Sequence, residues 1–137
     1  MRVAVVFFNG RSKDKVRRLA AALGKGIEKQ GNQVDLFDGA KDANVKLTIY
    51  QYLVVGAESV SAFRGKIPEQ VHTLLASAGA VSGKKSFAFV PTSLFGSSNA
   101  LARLMKVMEG EGMFLKNSQI IRSTQEAEEI GKRLRVS

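Results

Sequence analysis

The sequence has no cysteine, no tryptophan, one histidine and two prolines. Without cysteine there is no disulfide, no thiolate metal site and no thiol nucleophile. A single histidine excludes a histidine-rich metal centre, and the position of His72 near the start of a helix reads as a surface or packing residue rather than a base. Long apolar runs are also missing. None approaches the roughly 20 residues that span a bilayer. The N-terminal run Val3–Phe8 is too short for a signal-peptide core and lacks a cleavage site. The expectation is a soluble, cytoplasmic protein. Acidic residues are scarce, 12 Asp and Glu against 21 Lys and Arg, for a net charge of +9. That balance favours anionic company: phosphorylated ligands, an acidic protein, acidic lipid or nucleic acid. The cations are spread along the chain, and the densest cluster, Arg11 to Arg18, is interrupted by Asp14.

Several catalytic signatures are absent as well. No Gly-x-Gly-x-x-Gly follows the first apolar run, and there is no Gly-x-x-x-x-Gly-Lys-Ser/Thr, so neither a dinucleotide fingerprint nor a P-loop is present. A phosphoacceptor site of the receiver type needs acidic residues where this chain has Asn9 and Gly56-Ala57. No serine sits in Gly-x-Ser-x-Gly. Glu109 with Glu111, and Glu126 with Glu128 and Glu129, read as solvated charge rather than a catalytic pair. No catalytic or metal-ligating residue is assigned.

What the sequence does contain is alternation. Arg2–Phe8 is an apolar run without polar alternation, as expected for a strand buried on both faces. Val16, Leu19, Ala20, Leu23 and Ile27 form one helical stripe, with Ser12 as N-cap and Gly31 as the stop. Gln33–Phe37 reads as a second strand, residues 39–50 as a weak region with room for one short helix, and Tyr52–Ala57 as a third strand. A helix starting near Pro68 buries Val71, Leu74, Leu75 and Ala78 and closes at Gly79. Ser86–Val90 is a fourth strand broken by Pro91. Leu101, Leu104, Met105 and Met108 stripe the next helix, which ends near Gly110 or Gly112. Gln119–Ile121 is a short fifth strand, and Thr124–Leu134 a last helix with Ala127, Ile130 and Leu134 inward. The length fits one domain, residues 1–137. Strands separated mainly by helices imply an α/β protein, a parallel sheet covered on both faces by right-handed crossovers. Ligands of such sheets bind beyond the carboxyl ends of the strands. The loops leaving those ends are NGRSKDK, ESVSAFRGKIP and PTSLFGSSN, and they are rich in Gly, Ser and Phe.

These loops carry a resemblance. Gly56 followed by Phe63-Arg64-Gly65-Lys66-Ile67-Pro68, Gly83-Lys84-Lys85 leading into a strand, and Gly96-Ser97-Ser98-Asn99-Ala100-Leu101 entering a helix together resemble the flavodoxin-like family over essentially the whole chain. The resemblance implies a three-layer sandwich with a five-stranded parallel sheet in the order 2-1-3-4-5. It also implies an FMN site. Asn9, Gly10, Arg11, Ser12, Lys13, Asp14 and Lys15 would take the phosphate. Phe63, with Arg64 and Gly65, would flank the isoalloxazine ring on one side, and Thr92, Ser93, Leu94, Phe95 and Gly96 on the other.

Two departures from the family pattern bear on that site. The first loop has one hydroxyl, Ser12, where the family has several, and Asp14 in the first turn of the helix would repel a phosphate. Either cations replace hydroxyls at the phosphate, or the loop is a vestige. The second loop is longer than usual, with Glu58 where the family has a small residue or proline. Phe63 and Phe95 either flank a ring or pack the loops onto the sheet. The leading expectation is an FMN-binding electron carrier or small flavin-dependent reductase with an acidic redox partner. Its charge would make the flavin's reduction potential less negative than in acidic flavodoxins. The alternatives are a cofactor-free interaction or regulatory module of the same fold and, third, a basic protein associated with nucleic acid.

Overall fold

β1 (Arg2–Phe8) is buried from Val3 onward, and its side chains divide between two cores. Ala4, Val6 and Phe8 enter one, and Val3, Val5 and Phe7 the other. That division is the two-residue period of a strand with no solvent-facing side. The computed structural model describes residues 1–61 and 63–137. In it, β1 lies between β2 (Gln33–Asp38) and β3 (Tyr52–Ala57), with β4 (Lys85–Pro91) and β5 (Phe114–Ile121) beyond. The sheet order is β2-β1-β3-β4-β5, all pairs parallel, with Val5 opposite both Leu36 and Val54.

α1 (Lys15–Glu28) and α4 (Thr124–Arg133) cover one face of the sheet; α2 (Gln70–Ser77) and α3 (Ser97–Gly110) cover the other. The expected stripe of α1 is buried as read: Val16, Leu19, Ala20, Leu23 and Ile27. Full burial of side chains such as Leu23 and Ile27 contributes about 1.5–3 kcal/mol each. α1 and α4 meet backbone to backbone. A methyl group on Gly26 would lie 2.2 Å from the carbonyl of Glu128, and one on Gly131 would lie 2.2 Å from that of Leu23. The crossing is flanked by Lys29, whose ammonium donates to Glu128 at 2.6 Å and holds that carboxyl below its usual range. α4 starts with reciprocal caps. The Ser123 hydroxyl accepts from the Glu126 amide, and the Glu126 carboxylate accepts from the Arg122 amide. Glu126 and Glu128 are therefore engaged, not merely solvated.

Several boundaries differ from the sequence reading. Residues 39–50 form turns, with neither helix nor strand. Leu47 and Tyr50 anchor this segment in the core, and Lys84 donates to the carbonyls of Thr48 and Tyr50. α1 begins at Lys15, so Asp14, not Ser12, occupies the N-cap position, and its side chain makes no capping bond. β4 runs through Pro91 instead of stopping before it. The buried stripe of α3 is Ala100, Leu104 and Met108, with Leu101 and Met105 only half-buried. β5 starts five residues earlier than expected, because its Phe114–Ser118 half is a largely exposed edge without an apolar run. No helix among the described residues is long and apolar enough to cross a membrane.

Candidate functional site

The sheet order changes direction beside β1, and the loops after β1, β3 and β4 emerge at the same end. They enclose a cavity of about 550 Å³, within the range of small-molecule sites. Of the residues expected there, Arg11, Ser12, Lys15, Phe63, Thr92, Ser93, Leu94 and Phe95 line it. Asn9, Gly10, Lys13, Asp14, Arg64, Gly65 and Gly96 do not. Lys13 and Asp14 line a separate basic hollow between the starts of α1 and α4, with Arg18 and Arg122. The Oδ1 of Asn9 is buried with no hydrogen-bond partner among the described residues.

The first loop is held by the second. The amides of Gly10 and Ser12 both donate to Oε1 of Glu58, at 3.2 and 3.0 Å. Between them the Arg11 amide donates to the Ser59 carbonyl at 3.2 Å. Gly10 is needed for this contact, since a Cβ there would lie 2.4 Å from the carbonyl oxygens of both Glu58 and Ser59. Asp14 lies at the exposed start of α1 and pairs with Arg17 at 3.2 Å, which holds its carboxyl below the usual range. Its charge is thus directed to Arg17, not into the cavity.

The second and third loops are tied as well. The amide of Val60 donates to the Lys66 carbonyl at 2.7 Å, closing the loop on itself, and Ser59 and Ser61 hydroxyls bond within it. Gly65 and Gly96, both at positive φ, touch backbone to backbone: a Cβ on Gly65 would lie 2.4 Å from the Gly96 carbonyl oxygen. Above that contact the Phe63 and Phe95 rings pack on each other, centroids 5.2 Å apart and planes at 47°. A flat ring between them would need two van der Waals gaps, about 7 Å in all, so the pair forms one wall and not a slot. Lys15 bridges the first and third loops by donating to the Thr92 carbonyl at 2.5 Å. Ser93 and Ser97 bond each other at 2.9 Å, fixing the entry to α3. Leu94, at 94% exposed, projects beyond the rim, and Phe63 is 67% exposed.

Sequence reading missed Glu58, Ser59, Ser61 and Ser97 as lining residues. Glu58 had one signal, an acidic side chain just beyond a fully apolar strand. His72 is exposed on α2, 3.8 Å from Glu111, away from the cavity. Among the described residues no group of three or more His, Asp or Glu side chains is placed to hold a metal.

The arrangement offers an apolar wall, several hydroxyls, two cations and one buried carboxylate, with no paired acid and base. The Phe63–Phe95 pair gives the cavity an apolar face of the kind on which flat aromatic groups stack. A phosphate does not fit onto the amides at positions 10 to 12, since those at 10 and 12 hold a carboxylate and that at 11 holds a carbonyl.

No protein-family model matches the sequence, and no curated protein matches it. Solved structures do match. A flavodoxin from the domain Archaea superposes with a TM-score of 0.73 at 22% identity, covering 97% of this chain and 95% of its own. Flavodoxin 1 from Bacillus cereus gives 0.74 at 14% identity, covering 96% and 95%. A short-chain flavodoxin associated with a non-canonical PDU bacterial microcompartment gives 0.71 at 13% identity, also covering 96% and 95%. The chain therefore has the flavodoxin-like fold, as the loop motifs implied.

Proposed function

We propose that this chain is a flavin-binding protein of flavodoxin type, acting in electron transfer or as a small flavin-dependent reductase. The observation that carries the reading is the cavity at the strand ends, lined by the packed pair Phe63 and Phe95 and by the cations Arg11 and Lys15. The fold shared with solved flavodoxins along nearly the whole chain supports it. A bound flavin would supply the redox chemistry, so the lack of catalytic side chains is compatible with the role. The chain's own part is to shield one face of the ring from water and to place positive charge beside it. FMN, the flavin the resemblance implied, would meet the Glu58 carboxylate where its phosphate approaches the amides of Gly10 and Ser12. The exposed Phe63, Leu94 and Phe95, which line the cavity together with Arg11, suit a redox partner with an acidic docking face.

Glu58 favours a second reading, a cofactor-free interaction module whose loop is satisfied internally. One measurement separates the two. The purified protein's absorption spectrum is recorded, and colourless protein is titrated with FMN and riboflavin while flavin fluorescence is followed. A yellow protein, or quenching at micromolar flavin, is the expected result. No spectral change and no quenching with either flavin would leave the interaction module.

A further inference from the structure

Backbone amides at the start of a helix that follows a strand form an anion site, because they are unpaired and the helix dipole favours negative charge there. In this chain an anion already occupies the loop before α1, and it is covalently its own. Glu58 is only 7% exposed. Its Oε1 receives the Gly10 and Ser12 amides from 48 and 46 residues away in sequence. No lysine or arginine forms an ion pair with it among the described residues. Among the described residues amide donors alone hold the carboxylate, as they would hold a phosphate oxygen. The position is also set by the backbone. The Glu58 amide continues the β1–β3 ladder by donating to the Phe8 carbonyl, and Gly10 packs directly against the 58–59 peptide.

We propose that Glu58 is the chain's internal substitute for a ligand phosphate, so that the cavity selects a flat aromatic ligand with an unphosphorylated tail over its phosphorylated form. The identity of the ring rests on the flavin reading above. A dianion reaching this loop must displace a buried carboxylate or sit beside it, and like charges in one site oppose each other. An uncharged polyol tail meets no such conflict. Ser12 lines the same cavity and offers it a hydroxyl partner, and the Ser59 and Ser61 hydroxyls, bonded within their loop, keep acceptor capacity toward it.

The test compares riboflavin and FMN affinities, by fluorescence quenching, in the native chain and in Glu58→Gln and Glu58→Ala. The native chain is expected to bind riboflavin at least as tightly as FMN. The substitutions are expected to shift the FMN-to-riboflavin affinity ratio at least tenfold toward FMN. A native preference for FMN above tenfold, or an unchanged ratio in both variants, overturns the proposal. Glu58→Gln keeps the shape and an acceptor oxygen, so it serves if the alanine variant does not fold. Failure of every protein to bind either flavin would sink the flavin reading. Glu58 is then judged with inorganic phosphate alone. Phosphate-dependent shifts of the Gly10 and Ser12 amide resonances in the variants but not in the native chain support the substitution role. Equal shifts in both, or none in either, overturn it.

Discussion

Tyr52 begins β3 fully buried, and its hydroxyl has no hydrogen-bond partner among the described residues. Burial pushes its phenol up to about 12. Tyr50 is also pushed to about 12, by burial and by its 2.7 Å bond to Asp35. Both folded-state values lie above the unfolded value near 10. The stability linked to the neutral phenols is therefore complete below about pH 10 and lost as pH rises toward 12. Tyr52→Phe removes an unpaired polar atom and should raise stability by about 1 kcal/mol. It should also flatten the alkaline limb of a denaturation curve measured from pH 9 to 12. A lower Tm at neutral pH would mean that the hydroxyl has a partner. Glu58 teaches a related lesson. Its role lies in which amides meet it across nearly fifty residues, and no local pattern encodes that. The Phe63–Phe95 contact was equally illegible, because the sequence names two aromatic loops but not the distance between them.

Among the elements, the crossing of α1 and α4 tolerates least change. Gly26→Ala or Gly131→Ala places a methyl group where a backbone carbonyl stands, and should cost 1–3 kcal/mol or more. Gly110, at the exposed end of α3, has nothing near its missing Cβ. Gly110→Ala should instead stabilise by about 0.5–1 kcal/mol. Chemical denaturation of the three variants checks both signs, and equal effects would refute a close crossing. The elements themselves were largely legible. β1, β3 and β4 are continuous apolar runs because both faces are covered, and the α1 stripe is regular because it faces the sheet. Legibility failed where burial is partial. The outer half of β5 carries Lys116, Asn117 and Ser118, and residues 39–50 are fixed by Leu47 and Tyr50 without any periodic pattern. The start of α1 was misread because Ser12 donates its amide to Glu58 instead of capping the helix.

For the molecule as a whole, a charge of +9 means self-repulsion in the folded state. Raising NaCl from 0.01 to 0.15 M shortens the Debye length from about 30 to about 8 Å, and Tm should rise. A fall in Tm would show that exposed pairs such as Lys29–Glu128 outweigh the net repulsion.

The same pair has a further consequence. Lys29 and Glu128 are 99 residues apart in sequence, and Leu23 and Ile27 share their core with Ala127, Leu134 and Val136. On a ribosome adding about 5–20 residues per second, the first helix emerges many seconds before the last one can cover it. During that interval its apolar stripe, Val16, Leu19, Leu23 and Ile27, lacks the partner that covers it in the folded chain.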